Sequence, residues 1–479
     1  MSKVLFAAAE AAPFYKTGGL GDVAFSLPKA LNEDIDELRV VIPYYEKLFP
    51  AKYKKLVKDW MYFQVQVGNK PKYCGIKTLE LNGLKYYLID NEEYFGRDNL
   101  YGYWDDGERF AFFQLAICEM MEKIDFIPDV LHLNDWHTAF IPVLLKDKYS
   151  WIQSYAHIKT VLTIHNIQFQ GVYDPIVLGS LFGIGTRTFD EGSIEFFGNI
   201  NFMKGGITFA DAVTTVSPRY ASEIQTPEFG EHLEGILQDN SYKLQGIVNG
   251  IDMSVYDPAT DPSIPYHFDA IDTTNKIKDK HALQKMVRLP EKDVPIFAVV
   301  SRLTRQKGMD LLLSALNDFL KSRDVQVIIL GTGDKDLEDG FLGYQDAFHE
   351  KLAAKIQFDV KLAQMIYAGS DVFLMPSAFE PCGLSQMMAM RYGSVPLVHS
   401  VGGLSDTVTP YNKFTKVGTG FGFDDYRFEV LKEMMDSAFE LYHDDPKAWG
   451  NLRSQGMEQD FSWHKSAKKY RQLYQELAD

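Results

Sequence analysis

The chain has 479 residues, of which 46% are hydrophobic and 24% charged, and its formal net charge at pH 7 is −16. A chain of this length usually folds around two cores, and this composition is typical of a globular protein. The negative charge argues against nucleic acid or an anionic membrane as a partner, because both bind basic surfaces, and it is compatible with a neutral substrate.

Cysteine content and the N-terminal residues favour a cytoplasmic location. Cys74, Cys118 and Cys382 are too few and too scattered for a disulfide framework, which indicates a reducing compartment. The apolar run 4–12 is short and contains Glu10, so it predicts a first strand rather than a signal peptide. No stretch approaches the roughly 18 apolar residues of a membrane helix.

A glycine-rich octet, Lys-Thr-Gly-Gly-Leu-Gly-Asp-Val at 16–23, lies between a predicted strand at 4–9 and a predicted helix at 23–31. Glycines let backbone N–H groups approach a ligand closely, and the helix N-terminus adds partial positive charge. Lys16 adds a full charge. The octet therefore favours an anionic group such as a phosphate; the alternative is a tight turn with a solvated lysine.

The first half of the chain alternates short apolar runs with amphipathic segments. Strands are predicted at 40–42, 86–89, 130–133, 161–164 and 212–216, and helices at 109–121 and 138–146. This alternation predicts a parallel sheet covered on both faces. Ligands of such sheets bind outside the carboxyl ends of the strands, so the residues that follow each strand are the candidates for function.

Polar and aromatic residues follow these strands. Asp135 comes directly after the strand at 130–133, and His165 after the strand at 161–164. Tyr101 lies in a segment rich in aromatic residues and carboxylates. Such side chains stack on sugar rings and bond hydroxyls. Alternatively, Asp135 caps the next helix and His165 is a core histidine with satisfied hydrogen bonds.

A segment rich in Pro, Asp and Ser, 256–272, predicts a linker. Beyond it the alternation resumes. Strands are predicted at 296–300, 325–330, 372–375 and 395–398, and helices at 309–320 and 384–392. These elements predict a second open α/β domain.

The second domain carries cations and glycines at strand ends. Arg302 and Lys307 follow the strand at 296–300, where a guanidinium and an ammonium suit a diphosphate; the alternative is a loop of solvated cations. After the strand at 372–375, Glu380 can reach a polyol while the backbone of Gly383 faces a phosphate. We interpret Cys382 as a small buried thiol, because no base partner adjoins it.

Two carboxylate pairs have a spacing that can hold a divalent cation. These are Asp34 with Asp36 and Asp334 with Asp336. Such pairs arise by chance in an acidic chain, and we interpret both as solvated loop carboxylates.

Taken together, the motifs resemble those of bacterial glycogen synthases and plant starch synthases, in the family's order and spacing over nearly the whole chain. The matching segments are Lys16-Thr17-Gly18-Gly19-Leu20, Asp135-Trp136-His137, Thr163-Ile164-His165-Asn166, Asn249-Gly250-Ile251-Asp252, Ser301-Arg302-Leu303, Gln306-Lys307-Gly308 and Phe379-Glu380-Pro381-Cys382-Gly383-Leu384.

This resemblance implies an α/β GT-B fold, with Rossmann-like domains at 1–245 and 246–459 facing across a deep cleft and a C-terminal helix at about 460–479 returning to the first domain. It implies transfer of glucose from ADP-glucose to the non-reducing 4-hydroxyl of an α-1,4-glucan such as glycogen or a maltooligosaccharide. The anomeric configuration is retained, and neither a metal nor another cofactor is required.

Residue roles are implied in the same way, and no residue is expected to form a covalent intermediate or to bind a metal. The implied catalytic residues are Asp135, His165, Arg302, Lys307 and Glu380. The implied donor-binding residues are Lys16, Gly18, Gly19, Asp22, Asn249, Cys382, Gly383 and Leu384, and Tyr101 is implied to bind the acceptor.

Two positions differ from related patterns. Met388 stands where many retaining GT-B enzymes have a second glutamate, which bacterial glycogen synthases also lack, and Glu231-His232 stands where the family usually has a glycine before the leucine. Two alternatives stay open: another GT-B enzyme, such as a UDP-glucose-dependent synthase or a phosphorylase-like protein, and a glucan-binding protein that has lost activity.

Overall fold

The computed structural model describes residues 3–33, 35 and 37–478. The chain forms two compact units, Met1–Gly250 together with Trp463–Asp479, and Ile251–Ser462. Asp34 and Asp36, the first of the two carboxylate pairs considered above, lie outside the described residues.

Twelve of the described strands belong to the first unit. They are β1 (Lys3–Ala7), β2 (Glu37–Pro43), β3 (Lys58–Val67), β4 (Lys70–Leu81), β5 (Leu84–Asp90), β6 (Val130–Asn134), β7 (Lys159–Ile164), β8 (Val172–Tyr173), β9 (Glu195–Phe196), β10 (Asn199–Asn201), β11 (Ala212–Thr215) and β12 (Leu244–Gly246). Nine of them form a sheet of order β12-β11-β7-β6-β1-β2-β5-β4-β3, and β8, β10 and β9 form a small antiparallel sheet.

Helices cover this sheet and fill its crossovers. They are α1 (Gly19–Leu31), α2 (Ala51–Lys54), α3 (Glu92–Phe95), α4 (Asp106–Lys123), α5 (Trp136–Ala139), α6 (Ile141–Asp147), α7 (Arg187–Asp190), α8 (Phe202–Phe209), α9 (Pro218–Glu223) and α10 (Glu234–Asp239), with 3₁₀ turns at Gln153–Tyr155 and Ser241–Lys243 and a π-helical turn at Leu178–Phe182. Strands β1, β6 and β7 are buried along nearly their whole length, as expected of central strands in a covered parallel sheet.

The second unit is a parallel α/β sheet. Its strands are β13 (Ile296–Val300), β14 (Gln326–Leu330), β15 (Leu352–Lys355), β16 (Val372–Met375), β17 (Val395–His399) and β18 (Phe421–Phe423), in the order β15-β14-β13-β16-β17-β18. Its helices are α11 (Lys276–Val287), α12 (Met309–Ser322), α13 (Lys335–Ala347), α14 (Val360–Gly369), α15 (Ser385–Arg391), α16 (Gly402–Thr407), α17 (Phe428–Asp444) and α18 (Pro446–Met457).

The last helix, α19 (Trp463–Ala478), belongs to the first unit, where it packs against α1 and β6. Its buried Tyr474 hydroxyl lies 2.5 Å from Nδ1 of His132 on β6, and Nε2 of the same ring lies 2.6 Å from the Thr163 hydroxyl on β7. The chain end therefore contributes to the interior of the unit that contains its beginning.

Each sheet contains a point where the strand order reverses. In the first unit the chain runs from β1 to β2 on one side and later to β6 on the other. In the second unit β14 and β15 lie on one side of β13, and β16 on the other. Ligands of open α/β sheets bind outside the strand carboxyl ends at such points. Among the predicted site residues, Asp135 follows β6, Lys307 follows β13 and Glu380 follows β16, which are strands at these points.

The predicted strands and helices match the structure closely, with three corrections. The helix predicted at 138–146 is two short helices that meet at Phe140, with a proline at the start of the second. The first sheet is not wholly parallel, because β4 runs antiparallel to both β3 and β5. The units divide after Gly250 rather than after residue 245, because β12 pairs with β11 of the first sheet.

Candidate functional site

The glycine turn after β1 is occupied by a carboxylate of the chain itself. Glu10, which is 2% exposed, accepts hydrogen bonds from the backbone N–H of Thr17 at 2.8 Å and of Gly21 at 3.0 Å, and from the Thr17 hydroxyl at 2.9 Å. Burial raises the pKa of Glu10, and these hydrogen bonds partly oppose the rise. The sequence predicts that this turn faces an anionic ligand, and in the structure the Thr17 and Gly21 amides bond the Glu10 carboxylate instead.

Lys16 and Asp22 pair with each other at the surface of the same turn. The Lys16 ammonium lies 2.7 and 2.9 Å from the two Asp22 carboxylate oxygens. Gly18 and Gly19 are exposed, whereas a Cβ atom at Gly21 would lie 2.4 Å from that of Lys16. Gly21 therefore serves close packing, while the exposed part of the turn is open to a ligand.

Asp135 does not cap the helix that follows it. Its side chain makes no capping bond to α5; one oxygen instead accepts from the backbone N–H of His165 at 2.7 Å and of Asn166 at 3.4 Å. Asp135 has a φ of 55°, a conformation that is uncommon outside glycine and often found at functional sites. Burial raises the pKa of this carboxyl to about 7, opposed by the two N–H bonds.

His165 is held as a neutral imidazole by Asn134. The Asn134 amide nitrogen donates to the Ala7 carbonyl at 3.0 Å, so its oxygen faces Nε2 of His165 at 2.9 Å. Nε2 therefore carries the ring proton and Nδ1 is an acceptor. Burial lowers the pKa of His165 to about 3, so the ring is uncharged at neutral pH.

Tyr101 joins this group from the loop before α4. Its ring stacks on His137, with centroids 4.8 Å apart and planes at 28°, and its hydroxyl lies 3.4 Å from the Glu10 carboxylate. His137 is 6% exposed, and its Nδ1 has no hydrogen-bond partner among the described atoms. Tyr101, Glu10 and Asp135 thus lie on the same side of the first unit.

A cavity of about 440 Å³, which the sequence analysis did not find, adjoins Trp136, whose ring lies 4.3 Å from that of His137. Its lining is aromatic and polar, with Trp136, Gln168, Phe169, Tyr173, Glu231 and His232 among the lining residues. Glu231 and His232, which stand where the resemblance predicts a glycine, have φ values of 50° and 68°, a conformation that glycine adopts most readily. This departure from the family pattern was the signal that could have located the cavity.

Asn249 follows β12 of the same unit. It is 6% exposed, and its side-chain oxygen has no hydrogen-bond partner in the described part of the chain. A buried amide oxygen without a partner costs free energy, which a ligand donor would recover.

In the second unit, Lys307 and Glu380 form a charge pair. The ammonium lies 2.5 Å from the carboxylate, which also accepts a hydrogen bond from the Ser377 hydroxyl at 3.1 Å. Both charged side chains are mostly buried, with 19% and 8% exposure. The loops after β13 and β16 therefore meet through these side chains.

Arg302 lies on the same loop as Lys307 and has an exposed side chain. Over the residues that the structure describes, its guanidinium makes no hydrogen bond or ion pair. Arg305, the other arginine of this loop, pairs instead with Asp336 at 2.6 Å and with Asp334 at 3.6 Å. Asp334 and Asp336, interpreted above as solvated loop carboxylates, are partly exposed and pair with Arg305, whereas Arg302 is available to an anion.

Glycines let three loops of the second unit pack backbone against backbone. A Cβ atom at Gly308 would lie 1.8 Å from the Pro376 carbonyl oxygen, and one at Gly402 would lie 1.9 Å from that of Glu380. Gly308, Gly383 and Gly402 also have positive φ values of 73°, 69° and 45°. The position of Glu380 therefore depends on glycines from neighbouring loops.

The remaining predicted donor residues begin α15. Cys382 is buried with 5% exposure, Gly383 has the left-handed conformation noted above, and Leu384 is the N-cap residue of the helix. Burial of Cys382 agrees with its interpretation as a small packed thiol rather than a nucleophile.

Two kinds of feature are absent from the described residues. No group of three or more His, Cys, Asp or Glu side chains is arranged to hold a metal ion. No helix is both long enough and apolar enough to cross a membrane.

Comparisons with known proteins agree with this geometry. Residues 3–239 match the family model described as the starch synthase catalytic domain, and residues 282–452 match the model described as glycosyl transferases group 1. Among relatives, a glycogen synthase of Lactiplantibacillus plantarum is 62% identical over the full length of both chains. Glycogen synthases of Lacticaseibacillus casei and Streptococcus sanguinis are each 56% identical, covering 99–100% of either chain.

Solved structures give the same result. The catalytic domain of starch synthase IV from Arabidopsis thaliana, bound to ADP and acarbose, matches with a TM-score of 0.92 and 33% identity over 100% of this chain and 99% of that one. A sucrose-phosphate synthase from Thermosynechococcus elongatus shares the fold, with a TM-score of 0.61 and 17% identity over 100% and 99%. These matches confirm the expected GT-B fold. The chain therefore belongs to the family of bacterial glycogen synthases and plant starch synthases, and it is a hexosyltransferase.

Proposed function

We propose that this enzyme transfers glucose from ADP-glucose to the non-reducing 4-hydroxyl of an α-1,4-glucan, with retention at the anomeric carbon. The observation that carries the proposal is the Lys307–Glu380 pair, which joins two loops at the strand-order reversal of the second sheet. The Arg302 guanidinium, which has no partner among the described residues, lies on the Lys307 loop. Glycogen synthase relatives and the ADP-bound starch synthase neighbour support ADP-glucose and a glucan as the substrates.

Arg302 and Lys307 are the proposed ligands of the diphosphate. Departure of ADP builds negative charge on its phosphate oxygens, and cations that are already in place bind that charge more strongly in the transition state than in the ground state. An ammonium has three donors, so Lys307 can keep its bond to Glu380 while it binds a phosphate oxygen. These cations supply the electrostatic assistance that the leaving group requires.

Asp135 and His165 are the proposed ligands of the glucose ring. Nδ1 of the neutral His165 can accept a hydrogen bond from a sugar hydroxyl, and the ionised Asp135 stabilises the positive charge that develops at the anomeric carbon. Neither role requires a covalent intermediate. In this proposal the leaving phosphate accepts the proton of the attacking hydroxyl from the same face of the ring.

Donor binding by the first unit is assigned to exposed groups of the glycine turn. Lys16 and the backbone of Gly18 and Gly19 contact the donor, Asp22 orients the Lys16 ammonium, and the unpartnered oxygen of Asn249 accepts a ligand hydrogen bond. Glu10 accepts hydrogen bonds from the backbone of Thr17 and Gly21, and the Gly18 amide also faces it, so its role is to shape the loop.

The acceptor glucan is assigned to the aromatic cavity beside Tyr101. Trp136 and Tyr173 offer ring faces to pyranose rings, while Gln168 and Glu231 offer hydrogen-bonding groups. We also propose that transfer requires no metal and that the enzyme is cytoplasmic. Three buried cysteines without disulfide bonds support the reducing compartment.

The test compares initial rates with ADP-glucose and UDP-glucose at matched concentrations, with glycogen as acceptor and with or without a chelator. We expect transfer from ADP-glucose, an α-linked product by NMR, and rates that the chelator leaves unchanged. Faster transfer from UDP-glucose would overturn the donor assignment, a β-linked product would overturn retention, and loss of activity with the chelator would overturn metal independence.

A further inference from the structure

The loop between α9 and α10 places two large side chains at the aromatic cavity in an unfavourable backbone conformation. Glu231 and His232 are exposed, line this cavity and have φ values of 50° and 68°. A side chain is disfavoured in that region because its Cβ atom crowds the backbone, and residues held there cluster at functional sites. We call these two residues the cavity wall.

Hydrogen bonds to the backbone hold the cavity wall in this conformation. Nε2 of Gln170, a residue that is 8% exposed, donates to the Glu231 carbonyl at 3.0 Å, and Oε1 of Gln170 accepts from the amide of the fully buried Asn201 at 2.6 Å. The Leu233 N–H closes the turn by donating to the Gly230 carbonyl at 2.8 Å. These bonds do not use the side chains of the cavity wall, so the loop does not depend on those side chains for its hydrogen bonding.

The side chains of the cavity wall have few partners among the described residues. The Glu231 carboxylate accepts one hydrogen bond there, from Nε2 of the exposed Gln168 at 3.3 Å. The His232 ring meets Phe197 edge to face, with centroids 5.5 Å apart and planes at 83°. Phe197 in turn contacts Phe196, which lines the cavity. His232 therefore connects the loop to the β9–β10 turn at the border of the cavity.

The rest of the lining suits a neutral sugar. The Trp136 and Tyr173 rings are neighbours, with centroids 6.1 Å apart, and aromatic faces of this kind stack on pyranose rings. Over the part of the chain that the structure describes, no lysine or arginine lines the cavity, and Glu231 adds a carboxylate. This charge disfavours the anionic diphosphate of the donor, so the groups present support the glucan acceptor as the occupant.

We propose that the cavity wall determines acceptor specificity: it admits a linear α-1,4-glucan and excludes one that carries an α-1,6 branch near its reacting end. This inference rests on the proposed function, which assigns the acceptor to this cavity. A linear segment lays its ring faces on the aromatic residues and its hydroxyl groups along Glu231. A branch adds a pyranose that has to leave the cavity sideways, and the His232 ring in contact with Phe197 obstructs that exit.

The identity of the residue before Leu233 makes this restriction a property of this chain. The resemblance predicts a glycine there, which adopts a positive φ readily and has no side chain to obstruct a branch. None of the hydrogen bonds between described residues uses the His232 ring, so the ring contributes no polar contact to the loop. A role toward the acceptor accounts for a large residue in a conformation that costs stability.

The test compares two acceptors of equal composition in the full-length enzyme. One is maltotetraose, and the other is maltotriose that carries an α-1,6-linked glucose on its middle unit. The variants His232→Gly and Glu231→Gly each remove one side chain of the cavity wall. The matched control Asp125→Gly removes a side chain at another exposed position of the first unit, where φ is 51° and which does not line the cavity.

We expect the wild type to use maltotetraose with a kcat/KM about tenfold or more above that for the branched acceptor. In His232→Gly this ratio should fall about tenfold, mainly because kcat/KM for the branched acceptor rises. In Glu231→Gly the ratio should also fall, mainly because the KM for maltotetraose rises when its hydroxyl groups lose an acceptor. The control should keep the wild-type ratio, and thermal unfolding should show no loss of stability in any of the three variants, because glycine adopts a positive φ without strain.

Equal kcat/KM values of the wild type for the two acceptors would overturn the proposal, as would an unchanged ratio in either cavity-wall variant. A His232→Gly enzyme that is less stable than the control and loses transfer to both acceptors equally would also overturn it, because the ring would then serve the structure of the loop. Failure of the proposed function is distinguishable from these results, since the wild type would then transfer no glucose from ADP-glucose to either acceptor.

Discussion

Lys307 and Glu380 belong to different loops, and each is the other's main charge partner among the described residues. Lys307→Ala should reduce turnover by more than about a hundredfold, because it removes one cation from the proposed diphosphate site and leaves a buried carboxylate without its partner. Initial rates with saturating ADP-glucose measure the effect.

Lys335→Ala is the matched control for this variant, since Lys335 also pairs with a carboxylate, Asp339, but lies on the exposed surface of α13. It should keep wild-type turnover. A Lys307→Ala enzyme with undiminished turnover would remove Lys307 from the mechanism.

Asp135 titrates near neutral pH, and this has two opposite consequences. Its pKa is about 7 in the folded chain and about 3.9 in an unfolded one. Between these values the folded state binds more protons than the unfolded state, so the contribution of this group to stability falls as pH rises from about 4 to 7. Activity should rise over the upper part of that interval, because the proposed role requires the ionised carboxylate.

Asp135→Asn isolates this titration, because the amide oxygen can still accept the His165 N–H bond but carries no charge. We expect the rise in kcat/KM near pH 7 to disappear and the residual activity to be low. We also expect the free energy of unfolding to depend less on pH between about 4 and 7. A variant that keeps the wild-type pH–rate profile would show that another group is responsible.

The role of Glu10 in the glycine turn can be tested with Glu10→Gln, which replaces one carboxylate oxygen with an NH₂ group. In Glu10→Gln an NH₂ group would face the N–H of either Thr17 or Gly21, which leaves a buried donor without an acceptor. The expected cost is about 1–3 kcal/mol of stability, measured by chemical denaturation. The exposed Glu46→Gln serves as control, and equal stability of the two variants would contradict the role assigned to Glu10.

At the level of elements, the loops at the carboxyl ends of β13, β16 and β17 behave as one structure because their backbones touch. Gly402→Ala should disrupt it, since the added Cβ would lie 1.9 Å from the Glu380 carbonyl oxygen. We expect a loss of stability of about 1–3 kcal/mol and a larger fractional loss of kcat, because Glu380 moves. Thermal unfolding and initial rates measure the two effects.

Gly343→Ala is its control in the same unit. Gly343 lies inside α13, and no atom lies within 4 Å of a Cβ added there. Alanine should therefore stabilise the protein slightly, because it reduces the backbone entropy of the unfolded chain. If Gly402→Ala retained full activity, the position of Glu380 would not depend on the glycine turn.

At the level of the whole molecule, the chain end completes the unit that contains its beginning. Tyr474→Phe removes the hydroxyl that faces Nδ1 of His132, a ring that is fully buried. The expected cost is about 1–3 kcal/mol, because the histidine nitrogen then lacks a partner. Calorimetry should show this loss of stability in the unfolding transition of the first unit. The control Tyr242→Phe, at an exposed position, should leave that transition unchanged. An unaltered transition in Tyr474→Phe would show that this bond does not stabilise the unit.

Local pattern was sufficient for much of the architecture. Strands such as β13 and β16 could be predicted to the residue, because buried strands are short apolar runs bounded by turn residues. The β3–β4 hairpin was missed although β3 contains the apolar run 60–63, because most residues of this strand are exposed and the run does not mark a buried strand. Motifs at strand ends identified most candidate site residues for a related reason: the carboxyl ends of parallel strands lie along one edge of a sheet.

The amino-acid sequence by itself determined the family, the two α/β units and the residue types at the ends of their strands, because apolar periodicity and motif spacing are properties of neighbouring residues. Only the tertiary structure decided which polar or charged groups form hydrogen bonds or ion pairs with each other. Asp135 accepts from an amide 30 residues away, and Lys307 meets a carboxylate 73 residues away. Such partners are selected by the packing of strands and loops, because a buried charge or amide takes whichever partner the fold brings within hydrogen-bond distance.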